Sequence, residues 1–347
     1  MCPAETSPLI LESGEWLGNI EIVKPVMILQ SSTLYEALHQ RQRVYLKVAH
    51  VGEKHIERLT READFLWELQ QHRELNEYLP TIVPPYSDTT IVDEAYGRAI
   101  VRNQLLHYYL FEYVPGEPLR DALAKRPQPW INHIGWIIIS LSSTIELLQS
   151  KGMLHLALSP DAVLVRFEDH PSVPRVLLFD LGVVTNYTHI SQYWYPTITR
   201  PAYTAPELVE GLPNTIGYTS DVYGLGLILY ELLVGEPVFR IGRLNDTEVY
   251  RAVHTGVRIT MTRDQDVGPI AEIARQAVSL NPSERQPDAM SLTQQLKNYF
   301  GAVPNVRRGW WPRVEILLLV VLALLAIAFF ITLIITLGSF NSFARLV

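Results

Sequence analysis

Apolar residues change their spacing along this chain, and the change separates two regions. Between 21 and 50, Val, Ile, Leu and Tyr recur with turn-like interruptions, as in the first strands of a small β-rich unit. Residues 55–72 predict a helix, with Phe65, Leu66 and Leu69 in its apolar pattern. Strand spacing returns over 80–115, around a Pro- and Asp-rich loop at 84–93. From 130 onward the pattern is helical. Trp130 to Lys151 is strongly apolar and stops at Gly152, and Asp221 to Val234 stops at Gly235 with Ser220 as its N-cap. Further helices are expected near 268–279 and 290–300. There is no internal repeat and no low-complexity segment.

The last apolar stretch differs from the others. Ile316 to Leu337 carries no charge, and Thr332 and Thr336 are its only polar groups. A helix of that length is about 33 Å long, matching the hydrocarbon core of a bilayer. A core helix would show a polar face, and this one has none. Arg307, Arg308 and Arg313 precede it with Trp310 and Trp311, and only Arg345 follows. The positive-inside rule then places the large N-terminal part in the cytoplasm of a single-pass protein of the cell membrane. The expected divisions are an extension at 1–20, a folded domain at 21–300, a linker at 301–313, a membrane helix at 314–337 and an outer tail at 338–347.

Composition narrows the classes. Lys and Arg total 29 against 36 for Asp and Glu, a net charge of −7, so no broad basic surface for nucleic acid is expected. Cys2 is the only cysteine, which rules out an intrachain disulfide and fits a reducing compartment. No basic region followed by an apolar run opens the chain, so no cleaved signal peptide is expected.

Short motifs carry the chemistry. Residues 155–164 read His-Leu-Ala-Leu-Ser-Pro-Asp-Ala-Val-Leu. Val44-Tyr45-Leu46-Lys47 precedes Arg61-Glu62-Ala63, and Leu110-Phe111-Glu112-Tyr113-Val114-Pro115-Gly116 follows. Further on come Phe179-Asp180-Leu181-Gly182, Ala205-Pro206-Glu207, Asp221-Val222-Tyr223-Gly224 and Asn281-Pro282-Ser283-Glu284-Arg285. In order, these resemble the landmarks of the eukaryotic-like serine/threonine protein kinases: V-A-I-K, the helix-C Glu, the hinge, D-F-G, A-P-E, the helix-F motif and the late Arg. The resemblance implies an α+β, two-lobed fold, with a β-rich N-lobe at about 21–114 and a mainly helical C-lobe at about 115–300.

The same resemblance shows what is missing. The family's catalytic loop is H-R-D-L-K-P-x-N, where the Asp accepts the substrate proton and the Asn holds Mg²⁺. Here the Asp position is Ala157, the Lys position Ser159 and the Asn position Ala162, so no residue is expected to act as base. Leu156 replaces the Arg that reads an activation-segment phosphate. Met27, Leu29 and Ser32 stand where the cover over the phosphates would have glycines. Tyr45 replaces the small residue of the adenine roof, and either fills that pocket or turns aside under the loop. Asp161 is a distant candidate for a displaced base, and Arg200 takes the usual Thr position before the A-P-E motif.

Lys47 and Asp180 remain as a vestigial nucleotide site, and Asp180 is the one metal ligand that could be named. Glu62, His155, Glu207, Asp221 and Arg285 are expected in structural roles. The retained charges could serve phosphate and metal, or could persist as a buried salt bridge, which is the favoured alternative. The expected function is therefore a membrane-anchored pseudokinase that binds protein partners at the cytoplasmic membrane face, with no cofactor. The alternative is a weakly active ATP-dependent serine/threonine protein kinase using ATP and Mg²⁺, or a nucleotidyl transferase. Tyr187, Thr188, Ser191, Tyr193, Tyr195, Thr197 and Thr199 also crowd the activation segment as possible phosphorylation targets.

Overall fold

The computed structural model describes residues 8–86, 94–167, 173–194, 199–211, 215–239, 245–256 and 267–304. The N-terminal lobe is built on an antiparallel sheet. Its strands are β1 (Trp16–Leu17), β2 (Ile20–Ile28), β3 (Ser32–His39), β4 (Gln42–Ala49), β5 (Ile82–Val83), β6 (Gly97–Val101) and β7 (Gln104–Glu112). The order is β1-β2-β3-β4-β7-β5, with β6 also paired to β7. The β3–β4 and β6–β7 hairpins close through Gln40-Arg41 and Arg102-Asn103. All four residues have positive φ, the conformation that matches a two-residue turn to strand twist.

Alternation along the strands feeds two apolar layers. Tyr35, Leu46 and Leu110 join Leu11, Leu17 and Ile22 on one face. Leu34, Tyr45, Tyr109 and Phe111 face the other layer, which continues through Ala63 and Leu66 into the larger lobe. Helix α1 (Glu53–Gln71) supplies those two residues, and its buried face also carries Arg58 and Glu62.

The C-terminal lobe opens with β8 (Glu117–Pro118), α2 (Leu119–Lys125) and α3 (Ile131–Ser150), then β9 (Val163–Arg166) and β10 (Arg175–Leu178). The helices α4 (Ile190–Tyr193), α5 (Pro206–Glu210), α6 (Tyr218–Val234), α7 (Asp246–Thr255), α8 (Gly268–Ala277) and α9 (Ala289–Phe300) follow. Strands β8, β9 and β10 form a small second sheet. Helices α6 and α8 meet where Gly226 has no side chain, since a Cβ there would lie 2.6 Å from that of Ala277. Helix α6 starts three residues earlier than expected, at Tyr218. Gly217 is the N-cap, and the Ser220 hydroxyl accepts the Gly217 N–H at 3.1 Å.

The expected two-lobed fold is present, but the membrane part of the expectation is corrected. Among the described residues only α3 is long and apolar enough to cross a bilayer, and it is largely buried inside the C-terminal lobe. Its apolar surface is spent on the core, against α6 and α9. No transmembrane helix follows the domain among the described residues, and the expected span at 316–337 lies outside them. The single-pass topology, the bilayer as a partner and the placing of protein partners at a cytoplasmic membrane face therefore have no support here.

Candidate nucleotide site

Lys47 lies on β4 two residues after Tyr45, so both side chains point to the inner face of the sheet. Glu62 lies on α1 four residues after Arg58, so these two share a helix face. Packing α1 against the sheet brings Lys47, Glu62 and Arg58 together beside Asp180. The Lys47 Nζ donates to both Glu62 oxygens, at 2.8 and 2.6 Å, and to Asp180 Oδ1 at 2.7 Å. Tyr109, on β7 beside Lys47, donates its hydroxyl to Glu62 Oε1 at 3.1 Å, and the Leu181 N–H adds a bond of 3.0 Å. Lys47 and Glu62 are each 1% exposed. Breaking such a pair by removing one partner typically costs about 3–5 kcal/mol.

Arg58 completes the cluster. Its Nη2 lies 2.9 Å from Asp180 Oδ2 and 3.2 Å from Oδ1, and its Nε donates to the Gly182 carbonyl at 2.7 Å. Burial alone would raise the Asp180 carboxyl. The Arg58 guanidinium and the Lys47 ammonium outweigh it and hold Asp180 well below the usual carboxylate range. Both carboxylate oxygens thus face cations. Ala162, at the other metal-holding position of the resemblance, has no donor side chain. In this arrangement the site does not fit a divalent cation.

The loop after α3 is fixed by His155 and Asp221. Asp221 accepts the backbone N–H groups of His155 and Leu156 at 3.0 and 2.7 Å. This holds Leu156 at φ +58°, a conformation a leucine seldom adopts. The His155 Nε2 bonds the Asp180 carbonyl at 2.8 Å, and its Nδ1 accepts the Ala157 N–H at 3.2 Å. The neutral tautomer with the proton on Nε2 satisfies both contacts, and burial lowers this imidazole to about 4. Gly182 passes so close that a Cβ would sit 2.3 Å from the His155 carbonyl, at φ +68°.

Ala157, Ser159 and Ala162 sit on this loop and its short helical turn, with Ser159 and Ala162 buried. Asp161 is buried between the guanidinium groups of Arg120 and Arg200, both in ion pairs with it. Arg120 also lies 3.4 Å from the Tyr203 hydroxyl, and that hydroxyl donates to Glu231. A carboxylate pinned by two cations is not free to take a substrate proton, so Asp161 does not serve as a displaced base.

Tyr45 resolves one open alternative. Its hydroxyl donates to the Val114 carbonyl at 3.2 Å, and its ring lies 5.2 Å from that of Phe111 and 5.0 Å from that of Tyr113. The phenol therefore fills the space against the hinge-like segment instead of turning aside. Burial raises its pKa, so the ring stays a neutral donor.

The activation segment is anchored at its far end. Arg285 donates to Glu207 at 2.8 and 3.0 Å, and Ser220 donates to Glu207 Oε1 at 2.6 Å. Arg285 also bonds the carbonyls of Thr219, Ser279 and Leu280. Of the hydroxyls proposed as phosphorylation targets, Tyr195 and Thr197 lie outside the described residues. Thr199 is buried against Thr204, and Arg61 lies 3.5 Å from the ring of Tyr193.

A two-lobed α+β scaffold with a buried Lys–Glu pair, a carboxylate at the start of an activation segment and a Glu–Arg anchor defines a protein-kinase-like domain. The protein kinase domain family matches residues 30–298, most of the chain, and the chain belongs to that family. Serine/threonine-protein kinase CG17528 of Drosophila melanogaster is 29% identical over 150 residues, 43% of this chain and 19% of that protein. MAP kinase-interacting serine/threonine-protein kinase 1 of Xenopus tropicalis is 29% identical over 140 residues, 38% of this chain and 34% of that protein. The chain thus spans about a fifth to a third of the length of these relatives. The kinase domain of Mycobacterium tuberculosis PknI superposes with a TM-score of 0.54 at 16% identity, over 84% of this chain and all of that one. At that identity it shows the fold alone.

These findings correct the expectation of a catalytically inactive pseudokinase scaffold. The Lys47–Glu62 pair is formed, buried and docked on Asp180, and the Arg120–Asp161 contact is in place. The favoured view of the retained charges as a relic of lost activity gives way to an assembled kinase-type ion network. The weakly active alternative fits better.

Sequence reasoning missed Arg58, Arg120 and Tyr109. Arg58 had a readable signal, one helical turn before Glu62 on the same face. Tyr109 was visible only as a polar tip in an apolar strand. Arg120 had none, because its partner Asp161 lies 41 positions away.

Proposed function

We propose that the chain is an ATP-dependent serine/threonine protein kinase of low turnover. The observation that carries this is the Lys47–Glu62 pair, closed at 2.6 Å and joined to Asp180 at 2.7 Å. Phosphoryl transfer depends mainly on position and charge neutralisation, with little covalent work for the protein. Lys47 supplies the positive charge for phosphate oxygens. Helix α1 fixes that charge through Glu62, and the Glu207–Arg285 anchor shapes the segment beside which an acceptor hydroxyl would lie. The similar proteins of Drosophila melanogaster and Xenopus tropicalis are serine/threonine-protein kinases, which supports serine and threonine as acceptors.

Low turnover follows from the same residues. Without a carboxylate at Ala157, base assistance of about 10²–10⁴-fold is lost. Ser159 brings no cation to the transferring group, and no glycine cover approaches the phosphates. The nucleotide base must also move Tyr45 away from Val114 before it can enter. The test is transfer of radiolabelled phosphate from ATP to a generic serine/threonine substrate or to the chain itself. Slow labelling that disappears in Lys47→Ala and Asp180→Ala is expected. Labelling no higher than in those variants would overturn the proposal.

A further inference from the structure

In the family the chain belongs to, the carboxylate of the D-F-G motif is where metal meets protein. In this chain a guanidinium is there first. Arg58 reaches from α1 to both Asp180 oxygens and is tied by its Nε to the Gly182 carbonyl, so three of its contacts fix it in one place. Lys47 covers Oδ1 from the other side at 2.7 Å. Arg58 is 4% exposed and Asp180 5%. The cluster is balanced, with Lys47 and Arg58 against Glu62 and Asp180.

A Mg²⁺ ion would need carboxylate oxygen at roughly 2.0–2.1 Å, in near-octahedral geometry. It would enter between two cations already in contact with that oxygen pair. No further acidic side chain could balance it, since position 162 is Ala and no cluster of three His, Cys, Asp or Glu residues is found among the described residues. Uncompensated charge in a buried cluster is heavily disfavoured.

We infer that Arg58 is a resident counter-cation of Asp180 that takes the place of a divalent metal ion. While Arg58 is docked, Asp180 binds no metal, and nucleotide meets a site whose positive charge comes from the chain itself. The inference rests on the nucleotide site of the proposed function and specifies how that site is neutralised. It distinguishes Arg58 from a residue that only packs α1 against the loop, because a packing role gives no reason for metal binding to change.

The test titrates the full chain with Mn²⁺ alone, reading free Mn²⁺ by electron paramagnetic resonance. The wild type should leave Mn²⁺ free, with a signal equal to that of Asp180→Asn. Arg58→Gln, with Arg58→Met as a second variant that keeps the apolar stem, should gain one Mn²⁺ site, tighter by about tenfold or more. Adding Asp180→Asn to either variant should remove that site. A wild-type Mn²⁺ site that is lost in Asp180→Asn would overturn the inference. So would folded Arg58 variants, judged by a cooperative melt, that gain no site. Metal gained by the variants, together with no phosphate transfer from ATP by the wild type, would leave this inference standing and sink the proposed kinase activity.

Discussion

The Tyr45 hydroxyl donates to the Val114 carbonyl across 69 positions of sequence, tying the inner face of the sheet to the segment between the lobes. In the register of the family resemblance the ring stands at the position of the small adenine-roof residue, so competition between this side chain and a nucleotide base is expected.

Tyr45→Ala removes the ring from between Phe111 and Tyr113. The variant should lose about 3–5 kcal/mol of stability, as large-to-small changes in packed cores do. It should also gain affinity for adenosine, which carries no phosphate and so reports the base pocket alone. Thermal-shift titration checks both effects, and an unchanged adenosine response would show that the ring does not block the base.

Lys47→Met leaves Glu62 and Asp180 buried with only Arg58 to balance them. The expected loss is about 3–5 kcal/mol in urea unfolding. Lys47→Met combined with Glu62→Leu should recover part of it, because two apolar groups need no partner. A double variant no more stable than the single one would show that the pair contributes more than mutual neutralisation.

Arg285→Ala strips the Glu207 carboxylate of its guanidinium. Among the described residues Ser220 is then its one remaining side-chain donor. A loss of about 3–5 kcal/mol is expected, together with earlier proteolysis between 186 and 211. A loss below about 1 kcal/mol would mean that the anchor is relaxed in solution.

His155 sets a pH dependence. Its imidazole is held at about 4 in the folded chain against 6.5 when free. Between those values the unfolded chain binds the extra proton, so stability rises with pH. The contribution is complete above 6.5 and lost as pH falls towards 4, amounting to about 2–4 kcal/mol. Comparing His155→Phe with the wild type from pH 4 to 7 checks this. The wild type should lose more stability on acidification, and parallel curves would contradict it.

Much of this fold could be read from spacing. The strand pattern of 21–50 and the stops at Gly152 and Gly235 sit where local chemistry decides the structure, and both glycines do adopt positive φ. The α6 start was misplaced because Ser220 acts from the third helical position back onto Gly217, and a serine looks the same in either role. Helix α7 went unread although Asn245 and Glu248 form a capping box that the sequence displays. In the site, Lys47, Glu62 and Asp180 were legible through family order. The Arg58–Asp180 contact was not, since a helical spacing names neighbours on one face but not what the face meets. The Asp161 clamp depends on three elements meeting at one carboxylate, which no local pattern encodes.

That clamp has a counterpart further along the same segment. Arg200 is fastened to Asp161 on one side, and Glu207 to Arg285 on the other, seven residues further on. Both fasteners are made of side chains synthesised with the protein. The stretch from 200 to 207 is thus held at both ends by charges that the chain itself carries.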